Sequence, residues 1–256
     1  MTRGHWVDVA FTPRDMRPCQ LAVVVDVLRA TSTIVAALDA GYRRVLCMAS
    51  VERARRLRGP GRLLAGERGC RPIDDFDRGN SPRGLDPAAA DDLVLCTTNG
   101  TPAIRSAASM AGQVLIGSLL NLDAVVEHIP PDKDVSIVCA GTEGGFALED
   151  AYVAGRIVQR VGTERTDAAL AAEQLGRAYE DPEQPLAASA DAAVLRATGQ
   201  AADIAFCARE STVAVVPQVT AATGEVAVVS PADQSRAPRQ GRTHRYTAKI
   251  SARLFT

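Results

Sequence analysis

The sequence is short of histidine, of long apolar runs and of any excess of one charge, and each shortage argues against a class of protein. Its three histidines, His5, His128 and His244, lie far apart, which argues against a histidine nucleophile or a histidine-rich zinc site. No segment reaches the roughly 20 apolar residues of a membrane span, and the charged N-terminus lacks the apolar core of a signal peptide. Lysine and arginine number 29 against 30 acidic residues, so the net charge of -1 gives no reason to expect nucleic acid or a membrane surface as a partner. We therefore expect a cytoplasmic protein.

Several catalytic motifs are also missing. The six cysteines form no C-x-x-C pair, and we interpret them as buried, reduced thiols. The sequence contains no G-x-x-x-x-G-K-[ST], and no G-x-G-x-x-G follows a strand, so an NTPase is not expected. Leu28 stands where a haloacid-dehalogenase site needs a second aspartate after Asp26, and Pro102 stands where a cysteine phosphatase needs an arginine after Cys96.

Apolar, β-branched runs alternate with alanine-rich helical patterns in a chain of 256 residues that is 46% hydrophobic and 4% aromatic. This alternation predicts an α/β fold with a mixed, largely parallel sheet and helices on both faces. The predicted strands are 21–27, 44–48, 62–66, 92–96, 113–117 and 135–140, and the predicted helices are 31–40, 50–58, 102–111, 119–128 and 148–161. Residues 163–201 are interpreted as two structural helices broken near Pro182 and Pro185. The segments 204–207, 212–216 and 225–229 are predicted to be late, antiparallel strands.

The length suits a single unit over residues 1–256. The stretches 21–41 and 134–155 both read as a strand, a polar loop and an amphipathic helix. This echo is a hint of two related, intertwined halves, about residues 1–130 and 131–230, although any α/β protein repeats this unit. The proline-rich, basic segment 231–256 is predicted to be a solvated loop or tail.

The segment CTTNGTPAI, residues 96–104, concentrates hydroxyls at the end of a predicted strand. Thr101 is predicted to be the N-cap of a helix, with Pro102 at its first position. The free backbone amides and the positive end of the helix dipole then predict an anion site, which Gly100 allows the ligand to approach closely. The alternative is an ordinary capped helix in which the hydroxyls only satisfy the turn.

A second cluster, DVLRATST, follows the valine run of another predicted strand. Asp26 lies at the carboxyl end of that strand, where ligands gather in open α/β sheets. A buried carboxylate there needs compensation, either by Mg²⁺ or by Arg29 in a structural ion pair. Thr31 is the first of several hydroxyl-bearing residues at the predicted start of a second helix.

Two further loops carry acidic residues. The loop 66–82 offers oxygen ligands for a hard cation from Glu67, Asp74, Asp75 and Asp77. It also offers positive side chains that could contact an anion, from Arg68, Arg71 and Arg78. The alternative is a solvated charged loop without a ligand. In 140–150, Glu143, Glu149 and Asp150 are candidate metal ligands, general bases or first-turn acids. Together the clusters favour a Mg²⁺-assisted phosphoryl site.

At these residues the sequence resembles the 2-phosphosulfolactate phosphatase family. The resemblance rests on VVVDVLRATSTIVAALDAG, LLAGERG, FDRGNSP, LCTTNGTPAI, GSLLN and CAGTEGGFALEDAYVAG, in that order, followed by DIAFCARESTVAVVP. It implies an α/β fold of two similar, intertwined halves with the site in the cleft between them. It also implies Mg²⁺-dependent hydrolysis of (R)-2-phospho-3-sulfolactate to 3-sulfolactate and phosphate, a step of coenzyme M synthesis.

Carried over by motif, the resemblance implies three groups of site residues. The catalytic group is Asp26, Arg29 and Asp150; the substrate- and phosphate-binding group is Thr31, Asn80, Ser81, Thr97, Thr98, Asn99, Gly100, Ser118 and Asn121; the metal ligands are Asp26, Glu67 and Glu143. The expected partner is a small anionic phosphoester, and a homodimer is the default assembly. The alternatives are a phosphatase of another small anionic 2-phosphohydroxy acid and a binding protein that holds a phosphorylated metabolite without turnover.

Overall fold

The computed structural model describes residues 5–86, 90–162 and 164–232. Its strands are β1 (Trp6–Ala10), β2 (Cys19–Val25), β3 (Arg44–Met48), β4 (Arg62–Arg68), β5 (Arg71–Pro72), β6 (Asp92–Cys96), β7 (Ala111–Gly117), β8 (Val135–Cys139), β9 (Glu164–Arg165), β10 (Pro217–Ala222) and β11 (Val226–Pro231). Its α-helices are α1 (Ala30–Ala40), α2 (Val51–Arg56), α3 (Gly100–Met110), α4 (Leu122–Glu127), α5 (Leu148–Val158), α6 (Asp167–Arg177), α7 (Glu183–Ala188), α8 (Ala190–Ala197) and α9 (Ala202–Cys207). Short 3-10 turns occupy Pro13–Asp15 and Leu119–Asn121.

The strands lie in one sheet with the order β5-β4-β6-β3-β11-β10-β7-β2-β8-β1-β9. Strands β4, β6 and β3 are parallel and form the first strand group. Strands β7, β2, β8 and β1 are parallel and form the second strand group. The β10–β11 hairpin joins them through antiparallel pairs with β7 and β3, so the two groups run in opposite directions. The predicted mixed, largely parallel sheet with flanking helices is confirmed.

The chain passes between the strand groups twice. Helix α1 leads from β2 in the second group to β3 in the first, and α3 leads back from β6 to β7. The groups are therefore interlaced along the sequence. That they correspond to two similar halves divided near residue 130 stays a prediction.

Strand β2 shows why the central strands form where they do. Its residues Leu21, Val23 and Val25 pack into the apolar core on one face of the sheet. Ala22 and Val24, which alternate with them, pack into the core on the other face. Because a strand directs successive side chains to opposite faces, a continuous apolar run is what a strand covered on both sides requires.

Helix ends follow the expected local chemistry. Gly41 ends α1 in the left-handed conformation with φ 111°, which glycine adopts without steric cost. Ser50 begins α2 by accepting a hydrogen bond from the Arg53 amide through its side chain. No helix among the described residues combines the length and the apolar character needed to cross a bilayer.

The late strands were predicted only in part. The segment 225–229 falls in β11, and its antiparallel pairing is confirmed. The segment 204–207 is helical instead, because it belongs to α9, whose Ile204 and Cys207 lie one turn apart on a buried face. A short apolar run has no period that separates a strand from a buried helix. Residues 212–216 are not a strand, and β10 directly after them was not predicted.

The described residues of 163–201 contain helices as predicted, but they form three helices, α6, α7 and α8, instead of two. Pro182 precedes α7 as its N-cap residue, whereas Pro185 breaks no helix, because it lies in the first turn of α7, where no intrahelical amide bond is lost. Of the predicted segment 231–256, Pro231 ends β11. Residues 233–256 lie outside the described residues.

Candidate active site

A pocket of about 140 Å³ lies where loops from both strand groups meet. Residues after the carboxyl ends of β2 and β8 line one side, and residues at the ends of β4 and β6 line the other. The predicted site residues that line it are Asp26, Arg29, Glu67, Asn80, Thr98, Asn99 and Glu143.

Asp26 is held at the end of β2 by the start of α1. Its Oδ1 atom accepts a hydrogen bond from the Ala30 amide at 2.9 Å. Thr31 anchors the backbone of the same residue, since its Oγ1 atom accepts from the Asp26 amide at 3.0 Å and donates to the Asp26 carbonyl at 2.9 Å. Thr31 is fully buried and orients Asp26 without lining the pocket. The second carboxylate oxygen of Asp26, Oδ2, accepts no hydrogen bond from a described residue.

Gly100 allows the starts of α1 and α3 to pack against each other beside Asp26. A Cβ atom on Gly100 would lie 2.4 Å from the Ala30 Cβ and 2.6 Å from the Asp26 Oδ2. Contacts of that length do not occur between non-bonded atoms in proteins, so only glycine fits. The close approach predicted at Gly100 is therefore an approach of Asp26 and α1.

Glu67 joins the end of β4 to the loop after β6. Its Oε1 atom accepts a hydrogen bond from the Thr98 amide at 2.7 Å, and its Oε2 atom accepts from the Thr98 hydroxyl at 3.2 Å and from the Cys70 amide at 3.0 Å. These bonds fix the carboxylate at the pocket wall. They also occupy one amide of the predicted anion site.

Helix α3 begins earlier than predicted, at Gly100 with Asn99 as the N-cap residue, so Thr101 is not the cap. The Thr97 hydroxyl accepts a hydrogen bond from the Thr101 amide at 3.0 Å. After the Thr98 amide, this is the second backbone amide of the predicted anion site that already has a partner within the protein. Pro102 takes the third helical position rather than the first, which is tolerated because amides of the first turn have no intrahelical partner.

Arg29 enters the pocket from beneath the N-terminus of α1. Its guanidinium is buried and donates through Nη1 to Asp203 at 2.7 Å and to Gln200, and through Nη2 to the Cys70 carbonyl at 3.3 Å. The ion pair that Arg29 forms is with Asp203. The alternative of a structural Asp26–Arg29 pair is therefore wrong.

Three more acids lie at the second strand group. Both carboxylate oxygens of Asp150 accept backbone amides, from Val27 at 2.9 Å and from Gly141 at 3.1 Å, so Asp150 ties the loop after β2 to the loop after β8. Asp191, at the start of α8, lines the pocket and accepts from the Thr142 hydroxyl at 3.0 Å. Glu149, next to Asp150 in the first turn of α5, is buried, and the charges of Asp191 and Asp26 act on it.

Burial and mutual repulsion raise the pKa values of these acids. Desolvation, with smaller contributions from the charges of Asp191 and Glu67, raises the pKa of Asp26 to about 7. Desolvation, followed by the charges of Asp191 and Asp26, raises the pKa of Glu149 to about 8. The pKa values of Asp150 and Asp191 are raised for the same first reason. Burial thus disfavours the charged forms of all four acids, of which Asp26 and Asp191 line the pocket and Glu149 and Asp150 do not.

Comparison with known proteins places the chain in a family. Residues 10–222 match the family described as 2-phosphosulpholactate phosphatase. The chain belongs to this family. Relatives named probable 2-phosphosulfolactate phosphatase occur in Thermotoga petrophila and Thermotoga maritima, each 39% identical over 82% of this chain and 94% of the relative. Another, from Thermus thermophilus, is 38% identical over 81% of this chain and 91% of the relative.

Not every residue carried over from the 2-phosphosulpholactate phosphatase family reaches the pocket. Ser118 and Asn121 are fully buried and hydrogen-bond to each other as a capping box of the 3-10 turn after β7. Asn121 also donates to the carbonyls of Ile116 and Val215 at 3.2 Å and 3.1 Å. Their polar groups are thus used to connect β7 to the segment before β10. Ser81 likewise donates to Asp203 at 2.8 Å.

The acidic loop 66–82 separates into two parts. Asp75 pairs with Arg55 at 2.9 Å and Asp77 with Arg58 at 3.0 Å, both at the surface and outside the pocket. Asn80 is buried against the pocket, and its Oδ1 atom has no hydrogen-bond partner among the described residues. An unpartnered buried oxygen is costly unless a ligand satisfies it.

The donors around the pocket are oxygens, the ligand type that Mg²⁺ prefers. Among the described residues, no three His, Cys, Asp or Glu side chains lie close enough to enclose a metal ion by themselves. Mg²⁺ in phosphoryl-transfer sites usually takes one or two carboxylates and completes its shell with substrate oxygens and water. The chemistry of the donor set, including the orphaned Asn80 oxygen, fits such a site.

Proposed function

We propose that this protein is a Mg²⁺-dependent phosphatase that hydrolyses 2-phosphosulfolactate to 3-sulfolactate and phosphate. The observation that carries the proposal is the family match over residues 10–222, which includes every residue that lines the pocket. The relatives' names state this substrate. The place of the reaction in sulfonate metabolism, and in coenzyme M synthesis, belongs to the same proposal.

The charge of the pocket supports the need for a cation. Among the described residues, four acids line it together with one arginine, Arg29; the acids are Asp26, Glu67, Glu143 and Asp191. A substrate with phosphate, sulfonate and carboxylate groups would be repelled by these acids unless a positive ion lay between them. We propose that one or two of the predicted ligands Asp26, Glu67 and Glu143 hold Mg²⁺, with the Asn80 oxygen as an additional donor, since no three acids among the described residues lie close enough to enclose the ion. When bound, the metal would neutralise charge and polarise the phosphoryl group.

For proton transfer from the attacking water, the contacts favour Asp26 over Asp150. Both oxygens of Asp150 accept backbone amides, whereas Asp26 Oδ2 accepts no hydrogen bond from the described residues. Asp26→Asn separates its two proposed tasks: loss of Mg²⁺ affinity by calorimetry marks a ligand, and lost turnover with retained Mg²⁺ binding marks a base.

The proposal is tested by phosphate release from a panel of 2-phosphohydroxy acids, assayed with Mg²⁺, with EDTA, and with Mg²⁺ restored. We expect the highest kcat/KM for 2-phosphosulfolactate and loss of activity in EDTA that Mg²⁺ reverses. Preference for a panel member without a sulfonate would reassign the substrate. Tight binding of one member with no turnover of any would replace the phosphatase by a binding protein.

A further inference from the structure

Asp203 connects three parts of the chain beneath the pocket. It lies on α9, and its carboxylate is 1% exposed. Its Oδ2 atom accepts from Arg29 at 2.7 Å, and its Oδ1 atom accepts from the Ser81 hydroxyl and the Arg83 Nε atom, both at 2.8 Å. One buried carboxylate thus holds the loop after β2 and the loop that carries Asn80.

The charges around Asp203 do not cancel. Two guanidinium groups, of Arg29 and Arg83, share this one carboxylate. The Arg83 side chain is 48% exposed, so solvent screens its charge, whereas the Arg29 side chain is 1% exposed and its charge is not screened in this way. Arg29 therefore keeps part of its positive charge for the pocket that it lines.

The hydrogen bonds of Arg29 leave a specific part of its guanidinium open. Nη1 uses both hydrogens, on Asp203 and Gln200, and Nη2 uses one, on the Cys70 carbonyl. Among the described residues nothing accepts from Nε or from the second Nη2 hydrogen. A guanidinium has five donors, and adjacent donors on one edge bind two oxygens of a phosphate together.

We propose that Asp203 is a positioning residue that acts through Arg29. By fixing Nη1, it holds the Nε and Nη2 edge of the guanidinium ready for two oxygens of the phosphoryl group. The inference rests on the proposed phosphatase function. Gln200 assists from the same side, because it accepts from Nη1 and donates to the Cys70 carbonyl at 2.7 Å.

The test is a double-mutant cycle with Asp203→Asn, Arg29→Gln and the double variant, read out as kcat/KM for phosphate release and as Kd for inorganic phosphate by calorimetry. We expect Asp203→Asn to lower kcat/KM about tenfold to a hundredfold and to weaken phosphate binding. In the Arg29→Gln background, Asp203→Asn should change kcat/KM and the phosphate Kd by less than about twofold each, because the arginine through which Asp203 acts is already absent. Equal losses in both backgrounds would show a general structural role and overturn the inference.

Arg83→Gln is the matched control, since it removes the other arginine from Asp203 at an exposed position. We expect its kcat/KM to stay within about threefold of wild type; a loss as large as that of Asp203→Asn would overturn the inference.

If Asp203→Asn does not fold, Gln200→Ala removes the second Nη1 acceptor, and retained wild-type kcat/KM and phosphate affinity in that variant would count against the proposal. An active wild type with a fully active Asp203→Asn refutes this inference alone. Failure of wild type to release phosphate refutes the proposed function, and the phosphate Kd still tests the positioning of Arg29.

Discussion

Replacing Gly100 by alanine tests whether the packed starts of α1 and α3 fix Asp26. The new methyl carbon would lie 2.4 Å from the Ala30 Cβ and 2.6 Å from Asp26 Oδ2, where ordinary contact begins at 3.4 Å. The helices must therefore separate, or Asp26 must turn away, by about 1 Å. Asp26 Oδ1 is bonded to the Ala30 amide, so either movement displaces the carboxylate.

The effects on stability oppose each other. Alanine favours a helix over glycine by at most about 1 kcal/mol, and less at the first helical position. Overpacking of a well-filled site costs about 1–3 kcal/mol. We expect a net decrease of about 1–2 kcal/mol in the free energy of unfolding, measured by urea denaturation. Because an error of about 1 Å in a catalytic group costs about a hundredfold, kcat/KM for phosphate release should fall by about that factor.

Gly59→Ala is the control for Gly100→Ala. A Cβ atom on Gly59 meets no atom within 4 Å, and its φ angle is one that alanine adopts. This variant should retain the wild-type kcat/KM and the wild-type free energy of unfolding. Wild-type activity in a fully folded Gly100→Ala protein would refute the claim that the contact positions Asp26.

Three further predictions concern carboxylates in different settings. Asp191→Asn should lower kcat/KM by about a hundredfold or more at unchanged thermal stability, because Asp191 lines the pocket; near-normal turnover would remove it from the site. Asp75→Asn should change neither Mg²⁺ dependence nor Tm appreciably, since its 54% exposed side chain pairs with Arg55 at the surface, and altered Mg²⁺ affinity would reinstate it as a ligand. The pKa of Glu149 is raised from 4.5 to about 8. Between these two pH values the folded metal-free protein binds more protons than the unfolded chain, so its free energy of unfolding should decrease as the pH rises through this range. Glu149→Gln should flatten this decrease in urea titrations across pH, and an unchanged slope would contradict the assignment.

Much of the pocket was predictable because its residues sit at strand ends. Asp26, Glu67 and Thr98 each lie at or just beyond the carboxyl end of a strand whose apolar pattern is plain in the sequence. Ligand-binding residues concentrate at such ends in α/β sheets, so polar residues there are informative. That these ends meet at one pocket could not be predicted from the apolar pattern, because they belong to two strand groups that run in opposite directions.

The residues that were missed come from helices. Asp191 lies in an alanine-rich stretch where acids are typical of solvated helix faces, and nothing local distinguishes it from Glu183. Asp203 begins DIAFCARESTVAVVP, a segment that contributes to the family resemblance but from which no role was assigned to it. Their roles depend on contacts with Thr142 and Arg29, far away in the chain. Ser118 and Asn121, predicted to bind substrate, lie outside the pocket and form a capping box, which uses the same donors and acceptors as a ligand contact, so the sequence does not distinguish the two roles.

The interlacing of the two strand groups also governs how the protein can be made. The first strand group is contiguous within residues 44–96, so it can pair as soon as it leaves the ribosome. The valine-rich β2 is synthesised before it but pairs with β7 and β8, which end at residues 117 and 139. During that interval a nascent chain carries an apolar strand with both edges open, a template for aggregation. We therefore expect slower synthesis, or a chaperone that shields residues 19–25 until the second strand group is complete, to raise the yield of folded protein.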